Sequence, residues 1–175
     1  VARLDRCRSC HVNISEFGAG NVPMYPQGEF AEPFCSHPRP DLYLTATSPH
    51  SRDKFGCTIC HAGDGSGTSF QHSEHTPNDP AAAHEWEEEF GWHSNHFWEY
   101  PMSPKRFVES GCIRCHHSVT ELGVNAEFGA SAPKVYEGFR LISQYGCFGC
   151  HEINGYDGTT PIGPDLRLEP QTEEE

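Results

Sequence analysis

The sequence predicts a mainly α and irregular fold, with short helices, long loops and little or no β structure. Three observations lead there. Seventeen glycines and fourteen prolines in 175 residues interrupt any long regular element. Hydrophobic residues make up 35% of the chain and the mean hydropathy is −0.63, which is too little apolar material for an ordinary core. No two stretches show the alternation and tight turn of a strand pair.

The helices carry local signals. Asp79-Pro80 opens a helix through Ala81 to Phe90, with an acidic N-cap, proline in the first turn and Gly91 as the stop. Ser103-Pro104 opens a second, expected to run through Phe107 and Val108 to Cys112 and on to His117. A third follows Pro133, where Val135, Phe139 and Ile142 recur at helical spacing ahead of Gly146. Loops are expected over 18–26, 38–49, 63–80, 123–133 and 155–164.

Cys7-Arg-Ser-Cys10-His11, Cys57-Thr-Ile-Cys60-His61, Cys112-Ile-Arg-Cys115-His116 and Cys147-Phe-Gly-Cys150-His151 are four copies of C-x-x-C-H, using eight of the nine cysteines. This is the attachment signature of haem c. Two thiols separated by two residues reach the two vinyl groups of one porphyrin, and the next side chain becomes the proximal imidazole under the iron. Zinc sites pair C-x-x-C with a distant Cys or His pair and set no rule for the adjacent residue, so four adjacent histidines argue against zinc. A redox dithiol needs a βαβ setting that is missing here. Four haem c groups follow, held by Cys7, Cys10, Cys57, Cys60, Cys112, Cys115, Cys147 and Cys150, with proximal His11, His61, His116 and His151. Cys35 is left over and reads as a free or buried thiol, with an intermolecular bridge as the alternative.

At about 44 residues per haem, the chain is expected to wrap stacked haems that supply much of its core. The motifs start at 7, 57, 112 and 147 with unrelated text between them, so residues 1–175 read as one tetrahaem unit and not an array of modules.

Eight histidines lie outside the motifs: His37, His50, His72, His75, His84, His93, His96 and His117. Four suffice to cap four irons, and neutral imidazole suits iron. His50 stands on a Ser48-Pro49 loop ahead of the second motif, His75 precedes Thr76-Pro77, and His96 lies among Phe97 and Trp98. These, with His117, are the expected distal ligands; His37, before Pro38, is the reserve. His72, His84 and His93 are expected at the surface or on haem propionates. Met24 and Met102 are the competing ligands and would raise the reduction potential.

The Cys115-His116-His117 arrangement resembles small tetrahaem cytochromes of the c-three type, in which the extra histidine ligates a neighbouring haem; the resemblance implies that role for His117. Tyr145 to His151, followed by Gly163-Pro164-Asp165-Leu166, resembles single-haem class I cytochromes c. Those take a distal methionine further on, and here neither Met nor His follows His151. The fourth iron's second ligand is therefore expected from upstream or from another subunit.

Phe55 to His61, Ser73 to Asp79, Cys112 to His117 and Tyr145 to Leu168 together resemble a region of large bacterial multihaem cytochromes c, the similarity spanning most of residues 30–168. That resemblance implies export, with loss of a signal ahead of Val1, a periplasmic, extracellular or cell-surface location, and electron transfer. The chain would then be a soluble or docked carrier, a subunit polymerising into an extracellular cytochrome filament, or a fragment of a larger membrane-associated redox complex. A multihaem reductase or oxidase is the rival reading, and it needs an iron with an exchangeable site. Expected partners are redox proteins or copies of the same chain.

Twelve Lys and Arg against 25 Asp and Glu give a formal charge of −13, which disfavours nucleic acid and favours basic partners. No apolar run approaches the roughly 20 residues that cross a bilayer.

Overall fold

A computed structural model describes residues 5–16, 33–45, 47–119, 122–151 and 153. Among them, 3₁₀ turns at Cys7–Ser9 and Pro40–Leu42 precede helices α1 (Arg52–Phe55), α2 (Thr58–His61) and α3 (Pro80–Phe90). A 3₁₀ stretch at Val108–Arg114, strands β1 (Val124–Asn125) and β2 (Gly129–Ala130), helix α4 (Pro133–Tyr145) and a last 3₁₀ turn at Cys147–Gly149 follow. The chain is mostly helical and irregular with very little strand. The expected loops at 18–26 and 155–164, Met24 and Gly163 to Leu166 lie outside the described residues.

α3 forms where its caps place it. The Asp79 side chain accepts the Ala82 N–H at 2.9 Å, and Gly91 ends the helix at φ 63°, a left-handed turn that glycine takes without strain. α4 likewise begins at Pro133 and stops at Gly146, φ 67°. Its free amides are met from far upstream. A Glu109 carboxylate oxygen accepts from Lys134 N at 2.6 Å and Val135 N at 3.4 Å, which ties the third motif's segment to the helix leading into the fourth.

The helix expected from Pro104 to His117 does not form. Phe107 N–H bonds Pro104 O at 2.8 Å, Ser110 N–H bonds Phe107 O at 2.9 Å, and the chain then winds as 3₁₀ only to Arg114. Gly111 explains the difference: a Cβ there would stand 2.7 Å from the Cys60 carbonyl oxygen, so this segment is shaped by backbone contact with α2 and contains a weak helix former at that contact. Within the expected 123–133 loop, β1 and β2 pair antiparallel, Val124 with Ala130 and Asn125 with Gly129. The Asn125 side chain accepts the Glu127 and Phe128 N–H groups to close the turn.

Apolar burial is slight. Ala62, Val119 and Ala132 are the buried hydrophobics among the described residues, and no large side chain is fully buried, while Phe97, Tyr100 and Phe107 are exposed. Backbone hydrogen bonds do more of the organising. The exit of the second motif, 61–65, receives Ser103 N–H on His61 O and Arg6 N–H on Gly65 O, and gives Gly63 N–H to Tyr100 O and Asp64 N–H to Ser73 O. No helix among the described residues is long and apolar enough to cross a membrane.

Candidate haem-binding site

The four C-x-x-C-H segments adopt one geometry despite unrelated flanks. In each, the second cysteine's N–H reaches the first cysteine's carbonyl at 3.2 Å: Cys10 to Cys7, Cys60 to Cys57, Cys115 to Cys112, Cys150 to Cys147. The histidine N–H reaches that same carbonyl at 2.9 Å for His11, 3.1 Å for His61, 2.9 Å for His116 and 3.0 Å for His151. Such a turn sets residues i, i+3 and i+4 on one face, so both sulfurs and the imidazole serve one side. The first cysteine of each motif is half-buried and the second exposed.

Three motif histidines each face a histidine from elsewhere in the chain. Ring centroids lie 6.1 Å apart for His11 and His75, 5.9 Å for His61 and His37, and 5.8 Å for His116 and His50. Two metal–nitrogen bonds of about 2.0–2.1 Å, the length seen for zinc, plus roughly 1.1 Å from nitrogen to ring centre on each side, give about 6 Å. Rotation about the nitrogen–metal–nitrogen axis is free, so the interplanar angles of 36°, 88° and 85° are all admissible.

Each of the three non-motif histidines is held from behind. His75 Nδ1 donates to the Phe70 carbonyl at 2.9 Å, which leaves Nε2 with its lone pair. Phe70 stacks on the His75 ring at 4.5 Å and 15°, and Trp92 Nε1 donates to the His75 carbonyl at 2.8 Å. His50 hangs from the Leu42 carbonyl by its own N–H at 3.0 Å and meets Phe55 edge-on at 5.4 Å. His37 packs on Tyr43 at 5.1 Å, and its Nδ1 accepts the Arg39 N–H at 3.0 Å. The Arg39 guanidinium forks onto Asp41 at 2.9 and 2.8 Å and also donates to the Ala130 carbonyl, clamping this loop against β2.

Burial, reinforced by the neighbouring His61, pulls the His37 pKa down to about 4, so its ring is neutral at pH 7. Burial and His11 lower His61, and burial and His116 lower His50. A neutral ring accepting at Nδ1 carries its proton on Nε2. Binding iron through Nε2 therefore requires His37 to shed that proton and the Arg39 amide to release Nδ1, or the ring to take imidazolate character.

All twelve histidines fall within the described residues. Of the expected distal ligands, His50 and His75 stand opposite motif histidines, and the reserve, His37, does too. His96, His117 and His151 are exposed, and among the described residues none of them faces a second imidazole. His117 follows the end of the 3₁₀ stretch and does not lie on a helix. His72, His84 and His93 are exposed; His72 contacts Ser69 Oγ at 3.1 Å and His84 contacts Glu88 at 3.6 Å. Met102 packs at the Gly63 turn, where a Cβ added to Gly63 would meet its Cε at 3.2 Å. Cys35 is half-buried and free.

The motif segments are linked in chain order. Asp5, Cys7 and Cys57 bring their ligand atoms within 4.8 Å of one another, joining the first motif to the second. α2 packs on Val108–Arg114, joining the second to the third, and α4 links the third segment to the Cys147–Gly149 turn. The Asp5, Cys7 and Cys57 trio is also the one cluster among the described residues that could hold a small metal ion, but doing so would consume the first cysteine of two motifs. As free thiols these two act on each other: the hydrogen bond between them pushes Cys7 up and Cys57 down.

No protein-family model, curated protein or solved structure matches the chain.

Proposed function

We propose that the chain is a tetrahaem c-type cytochrome that transfers electrons. The observation that carries this reading is the composition of the three imidazole pairs: each joins one C-x-x-C-H histidine to one histidine from outside the motifs, at the spacing of a shared iron. Haem, when bound, supplies one-electron chemistry at iron, with imidazole on both faces favouring a low potential. The chain's contribution is positioning. Each motif turn aims two sulfurs and a nitrogen to one side, the 37–50 loop and His75 bring the opposing rings, and contact of the first motif with the second and the second with the third, with α4 bridging the third to the fourth, keeps the cofactors close. Magnetic circular dichroism of the oxidised holoprotein tests the ligation. Low-spin bis-imidazole bands from at least three irons are expected, and water-ligated or thiolate-ligated irons in their place contradict it.

A second feature bears on assembly. His151 is exposed and unpaired with another imidazole among the described residues, while His96 and His117 are exposed elsewhere on the same chain. An imidazole from a second copy can complete the fourth site, and a repeated head-to-tail contact of that kind builds a filament. Light scattering on the holoprotein decides: assembly lost in one of His96→Ala and His117→Ala and kept in the other identifies the intersubunit ligand. A monomer with one cyanide-binding iron instead favours the reductase or oxidase reading.

A further inference from the structure

We propose that Asp5 is a positioning residue that fixes the first haem against the second by binding the backbone of both attachment motifs. The inference rests on the tetrahaem reading above. One carboxylate oxygen, Oδ1, accepts the Cys7 N–H at 3.3 Å, and the other, Oδ2, accepts the Cys57 N–H, a residue 52 positions away. The first cysteines of two motifs are thereby hung on the two oxygens of one side chain.

The surrounding chain is built to allow this. Gly56, immediately before Cys57, takes φ 68°, and a Cβ there would stand 2.9 Å from Asp5 Oδ2, so the approach requires glycine twice over, for conformation and for space. The adjacent Arg6 N–H donates to Gly65 O at 2.7 Å, a second strut between the same two segments. Burial disfavours the charge on Asp5, yet hydrogen bonds from Cys7 and from the Cys57 backbone hold its pKa below the usual carboxylate range. Thiol donation ends when the cysteines become thioethers, whereas the two amide bonds persist.

Two consequences distinguish this role from general stabilisation. The carboxylate is a fixed half-buried negative charge beside two attachment points, so it holds down the potentials of haems 1 and 2 and leaves haem 3 alone. It also sets the mutual orientation of those two porphyrins, which the excitonic Soret circular dichroism reads. Asp5→Asn keeps the size of the side chain but replaces one acceptor by an NH₂ that meets an N–H. Gly56→Ala keeps the carboxylate's charge and pushes it off the Cys57 amide.

The test is a spectroelectrochemical titration and Soret circular dichroism of the tetrahaem parent, Asp5→Asn and Gly56→Ala. The expected result for Asp5→Asn is an upward shift of two of the four potentials with a changed Soret couplet, and for Gly56→Ala the changed couplet with a smaller shift in potential. Glu85→Gln, on the exposed face of α3, serves as control. Variants with four haems whose titration and couplet superimpose on the parent overturn the inference. A parent without haem overturns the underlying reading instead.

Discussion

The imidazole of His37 stands edge-on to that of His61, centroids 5.9 Å apart and planes at 88°, with His37 held by the Arg39 amide and His61 fixed by the turn of its own motif. His37 precedes the 3₁₀ turn at Pro40–Leu42 and His61 ends α2, so two separate segments bring the rings together. On the proposed reading the two rings share one iron once the Arg39 amide releases His37 Nδ1, and removing either ring should then expose that iron.

Replacing His37, His50 or His75 by alanine is expected to convert one haem each, haems 2, 3 and 1 respectively, to a form that binds carbon monoxide when reduced. His72→Ala, His84→Ala and His93→Ala should leave the spectrum unchanged. Carbon monoxide difference spectra of the six variants check this; an unchanged spectrum for any of the first three refutes that pair.

Gly111→Ala puts a methyl group 2.7 Å from the Cys60 carbonyl oxygen, a backbone atom that can move only with α2. A loss of about 1–3 kcal/mol is expected from such overpacking, measured by urea denaturation of the holoprotein, with the potentials of haems 2 and 3 altered and that of haem 1 retained.

Ala62 is the converse. It is buried, directly follows His61, and sits at φ 61°, ψ −151°, a region glycine occupies without cost. Ala62→Gly relieves that strain while giving up one methyl and some chain entropy, so the variant should be as stable as the parent or more stable by about 1 kcal/mol in the same urea assay.

The pH dependence follows from His37. Its folded pKa lies at about 4 against an ordinary 6.5, so the unfolded chain binds the extra proton between those values. The stabilisation is complete above 6.5 and is lost as pH falls toward 4, on the order of 3 kcal/mol in all. Asp41, held low by the Arg39 hydrogen bond, adds a loss below the ordinary carboxylate value of about 3.9. Urea midpoints should be flat above pH 7 and fall steadily below 6.5.

The fold was legible in the sequence to the extent that it was local. The four motifs, the Asp79 cap, the Gly91 and Gly146 stops and the scarcity of strand all depend on a few adjacent residues. What depended on distant contact was not. The 3₁₀ winding of Val108–Arg114 is set by Cys60 across space, and the cap of α4 comes from Glu109. That His37 faces a motif histidine was not legible, because its clamp, Arg39 on Asp41 and Ala130, joins residues 91 apart. The Asp5 bridge between Cys7 and Cys57 spans 52 residues and left no motif to read.

The most direct test is the intact mass of the protein produced in cells that attach haem c, paired with its pyridine haemochrome absorbance. A mass equal to the polypeptide plus four haems, with four haemochromes per chain, is the predicted result. A mass equal to the bare polypeptide, with no haemochrome band under those conditions, contradicts it.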